Sequence, residues 1–589
     1  MFRRVIDFFF TGRTRHVGAV RGDVRGSDDQ CAFIQALLQG ARYGEARIAA
    51  MECLARTPDD VNLLEQLAGV FCRSGISTGL PDAFEVAITL LNACLSKRLS
   101  GPPEPREALT LLWTALMAVR RYDEAVDVLR KVTRRAPMDS RAVAALANCH
   151  NILGDMPEAW AQYCRLLEMA PIRWPILSAR IAALDYMDDV SPQENFRQRM
   201  ESMAKVAGAG VIPVRYENDP DMERTLRIGF VSPDMRQHVV ATALFEGVLR
   251  AHAARDSEEW TIYDATPGRD TKNAELRTLA PRWREIDKLD PDQAAALIQS
   301  DRIDILVDLA GHSSHNSLAV FARKPTPIQA SWLGYPGSTG LPQIDWLISD
   351  IYSSPAEQES YVSERIWRLP ATRLCYTAPV ACPAPRLPAT MGPVSFGCFN
   401  NFGKLNPTVF SVWRRILDGV PGSRLLLKAG ALDHQSACAR LEVMLDQAGI
   451  ERRRVDFWGW SDVLDTLDQY GDIHIALDPF PFCGGLTSLD ALWMGVPVVT
   501  LDQPLLAGRQ TLAMLHNIDA SELIARDHDD YVRIGIALAK DANRLASYRA
   551  TLRRKMKSSA LTDQAALARN LDIALRGMWQ EWCTAQKAF

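Results

Sequence analysis

A chain of 589 residues is too long for one hydrophobic core, so two to four domains are expected. Its composition, 47% hydrophobic and 23% charged, is that of an ordinary globular protein, and a formal net charge of −4 argues against a protein built around a nucleic-acid backbone or an anionic membrane surface. No apolar run reaches roughly 18 residues, so no membrane span is expected. Twelve cysteines, scattered singly with no CxxC pair and no HExxH motif, read as free thiols in a reducing compartment, and no metal or disulfide framework is expected.

The opening residues, MFRRVIDFFFTGRTRH, set basic residues around an apolar run that Asp7 interrupts, too short a run for a signal peptide. Residues 1–30 are therefore an N-terminal segment without an assigned role. A repeat follows. RYDEAVDVLRKVTRRAPMD (Arg121 to Asp139) and GDMPEAWAQYCRLLEMAPI (Gly154 to Ile172) superpose Ala125 on Ala159 and Pro137 on Pro171, each 34 residues apart (159 − 125; 171 − 137). That is the tetratricopeptide period, in which a small Ala lets paired helices approach and Pro ends the second helix. An earlier copy, RYGEARIAAMECLARTPDD, keeps the Ala46 to Pro58 spacing but lies 79 residues before Ala125 (125 − 46), so an insertion is expected near Ser96 to Glu107. Residues 31–180 are read as helical repeats whose concave face binds protein, with 181–225 as a connecting segment.

From Leu226 the pattern changes to short β-rich runs, LRIGFVS, WTIYDA, IDILVDLAG and PIQASWLGY, alternating with helical stretches such as PDQAAALIQSD, as in a parallel sheet covered on both faces. A Rossmann-like lobe over 226–369 follows. Six prolines between Pro370 and Pro393 read as a linker, 370–393. A second α/β series, VSFGCFN, SRLLLKAG, RVDFWGW, HIALDPF and VPVVTLD, predicts a second lobe over 394–560 and hence a two-lobed enzyme with a cleft. The tail from Glu522 to Lys587 reads as helical throughout, its last part, 561–589, as a C-terminal helix.

No GxxxxGK[ST] and no GxGxxG after the first strand of either lobe is present, which disfavours P-loop and dinucleotide chemistry. The Asp pairs at Asp219, Asp290 and Asp527 read as helix caps or turn residues rather than metal ligands. PFCGGLTSLDALWMGVPVV (Pro481 to Val499) has better credentials: two glycines leave a buried strand and Thr487, Ser488 and Asp490 precede a helix over Ala491 to Met494. Such a helix start holds an anion on its free N–H groups, or is simply a capped corner. Lys404, after the first strand of the second lobe, suits a leaving diphosphate or a solvated surface. His238, after the first strand of the first lobe, suits a base, an acceptor-positioning group or a structural histidine, and His312 occupies a similar strand-end loop.

Taken in order, LRIGFVSPDMRQH, IDILVDLAGHS, FARKPTPIQASWLGYPGSTGL, FNNFGKLNP, LDPFPFCGGLTSLDALWMGVPVVTL and LAKDANRLASYRATLRRKM resemble the catalytic part of bacterial O-GlcNAc transferase and SPINDLY-like glycosyltransferases, from about Leu226 to near Trp582. Tetratricopeptide repeats in front are also characteristic of that family. The resemblance implies a GT-B fold and an inverting transfer, without an obligatory metal or cofactor, from a nucleotide sugar, UDP-GlcNAc, to Ser or Thr hydroxyls of a protein recruited by the repeats in the cytoplasm. The first lobe would face the acceptor and the second the donor. The resemblance makes His238 and Lys404 catalytic, and assigns the donor to Asn401, Lys404, Gly484, Gly485, Leu486, Thr487, Ser488 and Asp490. His312, Tyr335, Pro336 and Gly337 fall on the acceptor or sugar side. Leu486 stands where the family's common GGTT has the first of its two Thr, Thr466 where a His is frequent, and His474 where Asp is frequent. These departures leave room for another nucleotide sugar on a dedicated acceptor such as a flagellin, and an inactive binding scaffold is the alternative of another class.

Overall fold

The computed structural model describes residues 27–98, 106–169, 173–207, 216–255, 258–280, 282–386 and 393–587. The N-terminal segment 1–30 lies almost wholly outside these, as do the middle of the Ser96 to Glu107 stretch and part of the Pro-rich linker. Two compact units form, one ending at Met169.

The first unit is a run of helices, Ser27–Gln39, Tyr43–Arg56, Val61–Thr78, Pro81–Arg98, Arg106–Ala118, Tyr122–Arg135, Ser140–Ile152 and Met156–Met169, packed mainly on their chain neighbours. Ala46, Ala125 and Ala159 are each 0% exposed, because at these crossings a methyl is what the gap holds. Pro137 follows the end of its helix at Arg135, and Asp139 caps the next by accepting from the N–H groups of Arg141 and Ala142. The long interval before Ala125 is not simply an insertion near Ser96 to Glu107. Helices Val61–Thr78 and Pro81–Arg98 occupy it, 18 residues each against 14 and 13 for Tyr122–Arg135 and Ser140–Ile152, so lengthened helices carry much of the excess and dilute the 34-residue period.

The second unit holds two parallel sheets. In the first lobe, β1 (Arg227–Ser232), β2 (Glu259–Asp264), β3 (Arg282–Glu285), β4 (Ile305–Asp308), β5 (Ile328–Ser331), β6 (Trp346–Asp350) and β7 (Arg365–Leu369) lie in the order β3-β2-β1-β4-β5-β6-β7. β1 pairs with both β2 and β4, Ile228 standing beside Trp260 and Ile305. In the second lobe, β8 (Ser395–Cys398), β9 (Arg424–Lys428), β10 (Val455–Trp458), β11 (Ile475–Leu477), β12 (Val498–Leu501) and β13 (Ile524–Ala525) lie in the order β10-β9-β8-β11-β12-β13. Helices cover both sheets, which is why the central strands are buried along their length.

The tail is not helical throughout, as its sequence suggested. Ile524 and Ala525 form β13 beside Thr500 and Leu501, a two-residue strand too short to break the surrounding helical pattern. The last helix, Gln564–Lys587, returns to the first lobe: Arg576 donates to the carbonyls of Met222 and Arg224, Trp579 Nε1 to that of Asp221, and Gly577 faces the Trp367 ring of β7. Helices Trp174–Leu184 and Pro192–Ala207 also belong to this unit. Asp185, just past the end of the first, and Arg199 within the second form a buried pair at 2.7 Å, and Arg199 donates to the Tyr335 hydroxyl at 3.0 Å and the Ser338 carbonyl at 2.7 Å.

Candidate active site

The strand order reverses direction at β1/β4 in the first lobe and at β8/β11 in the second, and open parallel sheets bind ligands in the crevice at the carboxyl ends of such strands. The loops there are Ser232 to His238 and Asp308 to His312 in one lobe, and Phe399 to Leu405 and Asp478 to Gly485 in the other. Four runs singled out in the sequence are therefore brought to the two switch points by topology alone.

In the second lobe the loops are tied together. Asn401 accepts from the Gly403 N–H at 3.0 Å and folds Phe402–Lys404 into one tight turn, and Asn406 caps the following helix through the Val409 N–H. Lys404 is thereby turned inward. Its Nζ donates to the Cys483 carbonyl at 2.6 Å and to Asn400 Oδ1 at 3.2 Å, and lies 4.4 Å from the Phe482 ring centre. Burial pulls this ammonium below the ordinary lysine range, opposed by Cys483 and Asp478. Asn400 Oδ1 also accepts from the Thr487 hydroxyl at 3.0 Å, so one buried amide links the lysine loop to the glycine turn.

The glycine turn is shaped from below by Asp478, which accepts from the Gly484 N–H at 2.6 Å and from the Thr500 hydroxyl at 2.7 Å. A Cβ on Gly484 would stand 2.1 Å from Ser488 Oγ and 2.9 Å from Asp478 Oδ1, which is why glycine is needed here. Gly484→Ala is expected to weaken the hold of this turn on an anion about tenfold or more, since losing even one or two charge-assisted N–H bonds costs about 1.5–3 kcal/mol each. Isothermal titration with pyrophosphate measures it, and unchanged affinity contradicts an anion-holding role of the turn.

The helix begins at Leu486, earlier than the sequence indicated, and runs to Trp493. No side chain caps it: Gly485 is the N-cap, with φ −108° and ψ −100°. Without a side-chain cap, the first turn leaves its N–H groups available to an anion, the reading taken up below. Ser488, counted among the donor residues, is turned away from the cleft, 2% exposed and bonded to the Thr511 hydroxyl at 2.8 Å. Asp490, one turn along, is partly exposed, and its Oδ1 accepts from the Tyr376 hydroxyl at 2.7 Å. Burial pushes the Asp490 carboxyl up to about 7, against the lowering effect of that bond.

In the first lobe, His238 is half-buried with Nδ1 3.6 Å from Asp234 Oδ2, and burial lowers its pKa against the raising effect of that carboxylate. Burial thus favours the neutral form of this imidazole. His312 and Tyr335, placed on the acceptor side, are instead internal. His312 Nε2 faces the Thr339 carbonyl at 2.8 Å and so carries the proton, while Nδ1 accepts from Ser178 Oγ at 3.2 Å. Burial, with Arg199 beside it, holds this imidazole down at about 3, a neutral structural histidine. The Tyr335 hydroxyl is used by Asp185 and Arg199. Pro336 and Gly337 do line a recess, with Asp185 and Arg199 on one wall and Leu505 to Ala507 of the second lobe on the other.

Two of the departures noted in the sequence lie apart from the glycine turn. His474 precedes β11 and bonds Ser395 at the amino end of β8, the edge opposite the cleft. Thr466 donates to the Ser461 carbonyl beside the helix Val463–Gln469, after β10. Asn400, Asp478, Tyr376 and Gln510 were missed. Only Asp478 carried a signal, a lone carboxylate at a strand end; Gln510 ties the second lobe to the linker by accepting from the buried Arg373 at 3.0 Å.

The chain as a whole is similar to known proteins. Residues 198–376 and 386–571 match Glycosyl transferase family 41. The chain belongs to this family. Among curated relatives, a probable UDP-N-acetylglucosamine–peptide N-acetylglucosaminyltransferase SPINDLY of Petunia hybrida is 37% identical over 375 residues, 62% of this chain and 40% of that one. Its Arabidopsis thaliana counterpart is 35% identical over 382 residues, 63% and 41% of the two chains. The chain spans about two fifths of the length of these relatives. A solved structure, a mutant of the Thermobaculum terrenum O-GlcNAc transferase, superposes with a TM-score of 0.77 at 30% identity, covering 90% of this chain and 99% of that one. The family 41 chain is thus built as helical repeats followed by two Rossmann-like lobes. Among the described residues no helix is long and apolar enough to cross a membrane.

Proposed function

We propose that this family 41 enzyme transfers GlcNAc from UDP-GlcNAc, with inversion, to Ser or Thr hydroxyls of a protein held by its helical repeats. One observation carries the reading: an inward lysine, Lys404, meets an uncapped helix start and a glycine turn at the switch point of the second sheet. A departing nucleoside diphosphate concentrates negative charge, and an ammonium with fixed backbone N–H groups stabilises it more as the glycosidic bond breaks than before, which lowers the barrier. Asp490 is assigned to the ribose hydroxyls, Asn401 to the nucleotide side, and Pro336 and Gly337 to the acceptor face. Leu486 supports a second reading of the same chemistry, since an apolar side chain at the helix start removes a hydroxyl from the donor site and suits a different nucleotide sugar.

His238 is assigned to the reacting face opposite, where a neutral imidazole accepts or orients the hydroxyl proton. His238→Ala is expected to lower transfer about a hundredfold or more. Because its pKa is lowered, the acid limb of the wild-type rate profile lies below the ordinary imidazole range: activity is full above it and falls as His238 takes up a proton. An acid limb that persists unchanged in His238→Ala contradicts the assignment. The substrate reading is tested by incubating the full chain and candidate acceptors with radiolabelled UDP-GlcNAc and other nucleotide sugars, followed by intact mass. Label on protein from UDP-GlcNAc alone supports it; transfer from a different donor selects the second reading, and no transfer from any donor overturns both.

A further inference from the structure

Tyr376 lies in the Pro-rich segment leaving the first lobe, yet its side chain serves the second. Its backbone N–H donates to the Leu561 carbonyl at 2.6 Å, its ring meets Trp493 edge-on at 5.5 Å, and it is 2% exposed, so the phenol has little freedom. The hydroxyl ends 2.7 Å from Asp490 Oδ1, on the helix whose first turn is uncapped. A tyrosine buried so fully needs a partner for its hydroxyl, and a carboxylate with part of its surface open needs a fixed rotamer if it is to bind anything.

We propose that Tyr376 is a positioning residue for the nucleotide ribose, holding one oxygen of the Asp490 carboxylate so that the other accepts from the ribose hydroxyls. This rests on the reading of Asp490 as a ribose contact, and it extends the donor site to the linker between the lobes. The electrostatic setting gives the arrangement a pH signature. Facing this corner are the phenol of Tyr470, which donates to the Thr487 carbonyl, and the thiol of Cys382; behind it, on the helix Ala542–Lys557, Arg549 and Arg553 bond the carbonyls of Met494 and Trp493, and the Lys557 ammonium lies 5.6 Å from the Trp493 ring. Burial raises Asp490 to about 7 and the Tyr376 bond is what draws it back. A protonated Asp490 gives up much of its accepting capacity, so ribose recognition is present above its pKa and fades below it. Without the Tyr376 hydroxyl the pKa moves further up and that fading begins at a higher pH.

The test compares the binding of UDP and GDP with that of their 2′,3′-dideoxy forms, by titration calorimetry on the full chain from pH 6 to 9. The wild type is expected to prefer the ribose form of the diphosphate it binds by about tenfold at high pH, the value of one hydrogen bond to a charged acceptor, with the preference shrinking as the pH falls through about 7. In Tyr376→Phe the preference is expected to vanish at neutral pH and to return toward pH 9, a recovery that a misfolded variant cannot show. A Tyr376→Phe protein with the wild-type preference at every pH, or one whose preference never returns, overturns the positioning role. A wild type with no ribose preference, although Lys404→Ala weakens its diphosphate binding, overturns the ribose contact and the inference with it. A wild type that binds neither diphosphate overturns the functional reading itself.

Discussion

Lys404→Ala is expected to lower turnover about a thousandfold while the protein stays folded, the upper end of what one preorganised electrostatic group contributes to a transfer reaction. The lysine is held by the Cys483 carbonyl and Asn400 Oδ1, and burial disfavours its charge. An ammonium kept in so poorly solvating a place gains most when a neighbouring oxygen becomes fully anionic, as in the departing diphosphate, and less from the intact donor. The loss should therefore fall on kcat more than on KM. Lys404→Arg is expected to rescue little, because a planar fork does not fit contacts arranged for a point charge beside the Phe482 ring. Full turnover in Lys404→Ala, measured by single-turnover transfer with circular dichroism as the folding control, would remove the observation on which the functional reading stands.

The largest stability effect is expected at Arg199. Its side chain and that of Asp185 are 4% and 3% exposed, and Asp185 also accepts from Asn195 at 3.0 Å and from the Tyr335 hydroxyl. Arg199→Leu leaves a carboxylate in the interior without its cation, a change that typically costs about 3–5 kcal/mol. Arg197, two residues away on the same helix, pairs with Glu194 and Glu201 in the solvent, so Arg197→Leu is expected to leave the unfolding midpoint almost unchanged. Urea unfolding of the two variants separates them, the shift appearing in the transition of the lobed unit because a chain of two compact units need not unfold in one step. Equal midpoints would mean that the buried pair is dispensable.

The contrast between these neighbours shows where sequence reading reaches and where it stops. Repeats and central strands declare themselves through period, since Ala46, Ala125 and Ala159 and the apolar runs of β1, β4 and β12 each answer to a local spacing. Edge strands do not: β3 reads Arg-Trp-Arg-Glu and β7 Arg-Ile-Trp-Arg-Leu, charged because one side faces water. The donor-site side chains followed the same division. Lys404 and the Gly484-Gly485 turn stood out at strand ends, but the sequence left the lysine free to be solvated surface, and only the fold bonds it to the Cys483 carbonyl beside the turn. Asn400 looked no different from Asn401, yet it is the amide that joins two loops. Tyr376 and Arg199 sit in stretches that read as linker and connection, and their partners, Asp490 and Tyr335, lie 114 and 136 positions away along the chain. His312 shows the converse: a strand-end histidine has the same sequence signature whatever its ring meets, and here it bonds the Ser178 hydroxyl and the Thr339 carbonyl.

The return of the helix Gln564–Lys587 to the first lobe has a temporal side. During synthesis every strand of that lobe is made long before the helix that covers Trp367 and donates to the carbonyls of Met222, Arg224 and Asp221. An emerging chain therefore carries a first lobe with an uncovered apolar face while the whole second lobe is being made, an interval in which a holding chaperone would find its target.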